Sequence, residues 1–221
     1  MNNKRSVAII DFKMGNLFSV SHACEHVGLF PVITSDRKLI MECAAAILPG
    51  VGAFGEAMNN LEKLNLVETI KDFIASDRPF LGICLGLQLL FSRSEEFGEH
   101  KGLDIIKGAV KRFPEKDENN KLVKVPQIGW NRINIKKANT ALMNGIDNEE
   151  YMYFVHSYYV LPDNAETTLT VTNYAGLDYC SGVHDGNVTA FQFHPEKSAR
   201  KGLRIYYNYK NIVLRRNKHN G

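Results

Sequence analysis

Apolar and polar positions follow two different rhythms along this chain, one in each half. In the first half, short unbroken apolar runs at residues 7–11, 31–34, 44–48 and 79–83 read as strands buried on both faces. Helical spacing fills the gaps. A helix is predicted from a cap at Asn16 or Ser19 to about Val27, with Val20, Ala23 and Val27 on one face. A second pattern covers 56–76, broken near Leu64 and Asn65, and a third helix starts over 85–91. Strands alternating with helices imply βαβ units and a parallel sheet. The second half reads as strands at 105–113, 132–136, 151–160 and 167–173. Two further strands, 179–184 and 188–193, flank Asp185-Gly186, a hairpin signal. A final amphipathic helix is predicted over 198–214, and the charged stretch 114–120 is an exposed loop.

These elements predict an α/β fold in three layers: a mostly parallel central sheet, helices on both faces, and an antiparallel extension. A length of 221 residues suits one such domain over 1–221, and 44% hydrophobic with 23% charged residues is an ordinary globular mixture. A net charge of +3 is too mild for a nucleic-acid binder. The basic residues Arg215, Arg216 and Lys218 suit the carboxyl end of a helix, where cations complement the dipole. No run approaches the roughly 20 apolar residues of a membrane span, and the N-terminus lacks the apolar segment of a signal peptide. The expectation is a cytoplasmic protein with neither nucleic acid nor membrane as partner.

Cys24, Cys43, Cys84 and Cys180 show no C-x-x-C pairing and no zinc-like spacing with histidine, so no metal site is expected. Three of them sit in apolar surroundings and read as core filler. Cys84 differs, because Gly82-Ile83-Cys84-Leu85-Gly86 follows a strand and opens a helix. A nucleophile at a sharp strand-to-helix turn needs tiny neighbours, and a helix N-terminus lowers a thiol pKa. The competing reading is a buried cysteine beside two packing glycines.

A nucleophilic cysteine needs a base, and the base needs an orienting acceptor. His194 ends an apolar strand, and Glu196 two residues later can reach the far ring nitrogen. The rival base, His156, lies mid-strand among aromatics, where packing is the simpler role. His22, His26, His100, His184 and His219 read as surface residues. Pro49-Gly50-Val51-Gly52 follows the third strand, and its glycines allow backbone N–H groups to face a developing oxyanion. A simple turn would look the same. Neither phosphate-loop pattern is present.

Taken together, the loop, Gly-x-Cys-x-Gly-x-Gln and His-x-Glu resemble the class I (triad) glutamine amidotransferases. Within them, the chain looks like the glutaminase subunits of imidazole glycerol phosphate synthase. The matching stretches are Ile10-Asp11, Met14-Gly15-Asn16-Leu17, Pro49 to Phe54, Gly82 to Gln88, Gly129-Trp130-Asn131, Tyr153 to Tyr158 and Gln192 to Ser198. The resemblance implies that Cys84 attacks the glutamine amide, His194 moves the protons and Glu196 orients His194. It implies an oxyanion site at Gly50, Val51, Gly52 and Leu85, and a glutamine site at Gln88, Ser157 and Tyr158. No cofactor is implied. The implied partner is a (β/α)₈ barrel synthase subunit, docked near Trp130, Tyr153 and Lys197. It would take the ammonia through its interior to make imidazole glycerol phosphate and AICAR in histidine biosynthesis. Two departures from the family pattern are Lys13, where a small residue is usual, and Gln127-Ile128 before Gly129, where the usual pattern has histidine first. Three alternatives stay open: a paralogue amidating a nucleotide-linked or lipopolysaccharide sugar, a stand-alone cysteine hydrolase, and a non-catalytic scaffold.

Overall fold

The computed structural model describes residues 3–137 and 140–219, with Asn3 and 216–219 described by backbone alone. Along the chain come β1 (Ser6–Ile10), α1 (Leu17–His26), β2 (Phe30–Thr34), α2 (Arg37–Glu42), β3 (Ala45–Gly50), α3 (Phe54–Lys63), α4 (Leu66–Ala75), β4 (Phe80–Cys84) and α5 (Leu85–Leu89). Then follow β5 (Phe91–Ser94), β6 (His100–Lys101), β7 (Ile106–Arg112), β8 (Gln127–Ile135), β9 (Glu150–His156) and β10 (Tyr158–Pro162). The last are β11 (Thr168–Tyr174), β12 (Leu177–Asp185), β13 (Val188–Phe191) and α6 (Ala199–His219). Arg215 is exposed near the end of α6, while the side chains of Arg216, Lys218 and His219 lie outside the described residues.

The sheet runs β2-β1-β3-β4-β13-β12-β10-β7-β5-β6, and its first five strands are parallel. From β12 onward the pairing is mainly antiparallel, and a branch leaves β12 through β11 to β8 and β9. Alternate residues of β1 divide the core. Ala8 and Ile10 pack with Ile40, Leu61, Ile70 and Phe73 of α2–α4. Val7 and Ile9 pack on the other face with Val20 and Cys24 of α1 and Ile205, Tyr206 and Tyr209 of α6. That is the three-layer α/β arrangement with helices on both faces. Every β1 residue from Val7 to Ile10 is fully buried, which is why the strand reads as a continuous apolar run.

Several boundaries differ from expectation for identifiable reasons. The helical pattern of 56–76 breaks as predicted, at Asn65 in a left-handed conformation (φ 55°) between α3 and α4. Helix α2 was not anticipated, although Asp36 caps it by accepting from Leu39 N at 2.9 Å. Helix α5 stops at Leu89, short of Phe91. Leu103 N donates to Leu89 O, and the Ile105 and Ile106 amides both donate to Leu90 O. Those long-range bonds turn the chain into β5. The run 151–160 is two strands: β9 pairs with β8, whereas β10 pairs with β7 and β12. Strand β8 starts at Gln127, earlier than predicted, and β13 ends at Phe191. The hairpin turn between β12 and β13 is Gly186-Asn187, one residue later than Asp185-Gly186 suggests.

Candidate active site

Strand β4 passes into α5 with no intervening loop residue, and Cys84 is the pivot. Its backbone sits at φ 56°, ψ −111°, a strained conformation for any residue with a side chain. The flanking glycines are required for space. A Cβ on Gly82 would stand 2.8 Å from Ala190 Cβ, and one on Gly86 would collide with the carbonyl oxygen of Leu48. The elbow thus lies hard against its neighbouring strands, β3 and β13.

Strand β13 lies beside β4 with Phe191 opposite Ile83, so both strands deliver their next residues to the same edge of the sheet. His194 follows there. Its Nδ1 lies 2.7 Å from Glu196 Oε1, with side chains only 2% and 1% exposed. The carboxylate holds a proton on Nδ1, and Nε2 has no hydrogen-bond partner among the described residues. Burial pulls the imidazole pKa down, but interaction with Cys84 and Glu196 outweighs it and holds the ring at about 10. The turn carrying both residues is clamped: Ser198 Oγ donates to His194 O at 2.6 Å and accepts from Tyr153 N at 3.0 Å. His194 N in turn donates to Tyr153 O at 2.9 Å.

A cavity of about 320 Å³ opens beside the sulfur. Val51, Gly52, Cys84, Leu85, Gln88, Ser157 and Tyr158 line it, which brings together most of the sequence-predicted substrate residues. Gly50 is buried behind them, opposite Cys84 in the β3–β4 register. Gly52 holds φ 109°, and a Cβ there would run into Met14 Cε at 2.5 Å. Lys13, at the first departure from the family pattern, has φ 71°, a conformation that suits a small residue better. Gln88 Nε2 donates to Tyr158 O and to Gln192 Oε1, both at 3.0 Å. Its two amide hydrogens are thereby committed, and its carbonyl oxygen is what a ligand meets.

Two residues of the site were not assigned from sequence. Glu96 lines the same cavity, and its Oε2 accepts from Phe54 N at 2.6 Å. Burial raises the carboxyl pKa, partly offset by that bond. Gln192, fully buried, donates its Nε2 to Cys84 Sγ at 3.8 Å. Its only sequence signal is a polar residue between Phe191 and Phe193.

His156 also lines this cavity, but both of its ring nitrogens are occupied. Its Nδ1 lies 2.8 Å from Tyr158 O, and its Nε2 lies 3.2 Å from the Tyr179 hydroxyl. Burial among Phe113, Phe154 and Tyr179 lowers its pKa to about 4, so the ring is neutral at physiological pH. Of the remaining histidines, His22 and His26 are exposed, while His100 and His184 are half-buried.

Trp130 and Tyr153 are cross-strand partners on β8 and β9, with rings edge-to-face at 6.1 Å. Lys197 Nζ lies 6.0 Å over the Tyr153 ring. With Ile128 and Tyr151 they form a largely exposed apolar stripe. The same strand borders the site, since Val155 O lies 4.0 Å from Cys84 Sγ. A second cavity of about 580 Å³ starts at Pro79 and Phe80, the opposite end of β4, and is lined by no cysteine. Among the described residues, no three His, Cys, Asp or Glu side chains converge as metal ligands would, and no helix is long and apolar enough to cross a membrane.

Comparison with known proteins gives a consistent picture. The family model for glutamine amidotransferase class-I matches residues 8–209. The imidazole glycerol phosphate synthase subunit HisH of Aquifex aeolicus is 50% identical over 204 residues, covering 91% of this chain and 94% of that protein. Its counterpart in Syntrophotalea carbinolica is 48% identical, covering 92% and 98%. Among solved structures, PurLQS from Thermotoga maritima superposes with a TM-score of 0.71 at 16% identity, over 93% of this chain and 97% of that one. The glutaminase domain of Trypanosoma brucei CTPS, with bound acivicin, gives 0.66 at 16% identity, over 95% and 94%. At those identities the structural matches speak for the fold alone.

Proposed function

The chain belongs to the class I glutamine amidotransferases, among the glutaminase subunits of imidazole glycerol phosphate synthase, and on that premise we propose that Cys84, His194 and Glu196 are its catalytic triad. The reaction is hydrolysis of glutamine to glutamate and ammonia, in the service of histidine biosynthesis. The observation that carries the residue assignment is the buried 2.7 Å contact between His194 and Glu196 beside a strained Cys84 elbow that opens on a cavity.

The chemistry follows from the charges. With its pKa held near 10, His194 carries the proton that the departing nitrogen will need. The Cys84 sulfur attacks the side-chain carboxamide carbon of glutamine. Backbone N–H groups of Leu85 and of the 50–52 loop receive the oxyanion. His194 passes its proton to the departing nitrogen, the C–N bond breaks, and ammonia leaves a glutamyl thioester on Cys84. The neutral ring then takes a proton from water, whose oxygen displaces the sulfur as glutamate forms. Glu196 keeps Nε2 aimed at both proton transfers. Glu96 and the Gln88 carbonyl supply acceptors for the substrate α-ammonium, and the backbone at Ser157 and Tyr158 meets its carboxylate.

The whole chain acts as one glutaminase domain in the cytoplasm. The Ile128–Trp130–Tyr151–Tyr153 stripe with Lys197 is the docking face for the (β/α)₈ synthase subunit, whose interior carries the ammonia onward. Docking on β9 acts on the site because Tyr153 and Val155 belong to the strand that touches His194 and Cys84. A reoriented peptide at Val51, which is 40% exposed, completes the oxyanion site. The deciding measurement is glutamine hydrolysis by the isolated chain, then with barrel partner and acceptor. Low basal turnover that rises on assembly is expected, and high partner-independent turnover would contradict the subunit reading.

A further inference from the structure

Glu196 spends one carboxylate oxygen on His194 and leaves the other, Oε2, buried without a hydrogen-bond partner among the described residues. The hydroxyl of Tyr206 is in the same condition, on a side chain that is 0% exposed. Buried polar atoms rarely go unpaired, because each lost hydrogen bond leaves an uncompensated desolvation cost. These two sit on elements in direct contact. Helix α6 presses against the 195–197 turn so closely that a Cβ on Gly202 would collide with the carbonyl oxygen of Pro195. Tyr206 lies four residues after Gly202, one turn along the same helix face. Helical side chains lean back toward the N-terminus, so the phenol lies over the ground that Gly202 leaves bare, next to Glu196. The two groups also feel each other electrostatically: burial raises the Tyr206 pKa well above its usual value, and the Glu196 charge adds to that.

We propose that Tyr206 is a positioning residue for the triad: its hydroxyl donates to one buried water that in turn donates to Glu196 Oε2, and so keeps Oε1 on His194 Nδ1. This rests on the assignment of Glu196 as the orienting carboxylate. Without the donor, the carboxylate is free to rotate about its terminal bond, and the ring loses its fixed aim toward Cys84. The substrate cavity is untouched, because Tyr206 does not line it. The residue therefore acts on turnover and leaves binding alone.

The test is the variant Tyr206→Phe, which keeps the packing and removes only the oxygen, assayed in the full complex with its barrel partner. The expected result is a fall of roughly tenfold in glutaminase kcat, the scale typical of removing a supporting hydrogen bond, with KM for glutamine unchanged. The same substitution in a Glu196→Gln background should cost far less, since Tyr206 acts through that carboxylate. Wild-type kcat in Tyr206→Phe, or an equal loss in both backgrounds, would overturn the inference. An unimpaired Glu196→Gln enzyme would instead overturn the triad assignment beneath it.

Discussion

The side-chain amide of Gln192 aims its nitrogen at the sulfur of Cys84, 3.8 Å away, while its oxygen accepts from Gln88. The second bond keeps the amide from turning over, so its N–H stays on the sulfur. Gln192→Leu should therefore lower kcat/KM for glutamine about tenfold, the order expected for loss of one hydrogen bond. Steady-state kinetics on the complex checks this, and unchanged kinetics would reduce the contact to packing.

The four thiols should separate chemically. Burial pushes Cys24 up to about 12 and Cys180 up to about 11, and it raises Cys43 as well. A thiol-directed glutamine analogue should therefore label Cys84 alone at neutral pH, read by peptide mass spectrometry. Modification at all four positions would remove the case for a special environment.

Cys84→Ala should cut glutamine-dependent synthesis by the complex by orders of magnitude, because triad members act as a unit. Synthesis from free ammonium should persist, since the acceptor chemistry belongs to the partner. Loss of both activities together would contradict the division of labour.

Gly86→Ala tests the elbow. Its new methyl meets the backbone of Leu48, which has no side-chain freedom with which to yield. Overpacking of this kind costs about 1–3 kcal/mol or more, so a clear fall in the denaturation midpoint is expected together with lost activity. A variant that folds and works normally would show that the close approach is not required.

His156 gives the protein a dependence on acid. Its folded pKa of about 4 lies below the ordinary value of 6.5, so unfolding takes up a proton between those limits. The associated stability is present above pH 6.5 and is lost as pH falls toward 4. His194 works the other way: with its pKa raised to about 10, its contribution is full below 6.5 and fades as pH rises to 10. His156→Gln should therefore remove about 2 kcal/mol of the stability difference between pH 7 and pH 5, measured by denaturant titration. An equal acid dependence in the variant would place the titration elsewhere.

The three residues proposed as a triad stand out in the sequence because each lies in a short local motif whose chemistry depends on its immediate neighbours. Gly82 and Gly86 announce a crowded turn, and Glu196 sits two residues from the ring it supports. Glu96 was not legible: it enters the cavity only because long-range bonds stop α5 at Leu89 and redirect the chain into β5. The break between β9 and β10 at Ser157 was hidden for a similar reason, although the residue itself was named from the family resemblance. The apolar pattern runs through it unbroken while the strand changes partners, and alternation reports burial without reporting which neighbour supplies it. Tyr206 is one apolar-face position among several on α6, and only Gly202 against Pro195 distinguishes it.

Strand β13 lies between β4 and β12, although Gln192 and Cys84 are 108 residues apart in the chain. A polypeptide emerging from the ribosome has therefore made its sulfur long before it makes the imidazole. Every residue lining the cleft is made before the final hairpin, whereas His194 and Glu196 come after it. A chain cut short before β13 would therefore hold the sulfur and its cleft without the imidazole and carboxylate that complete the proposed triad.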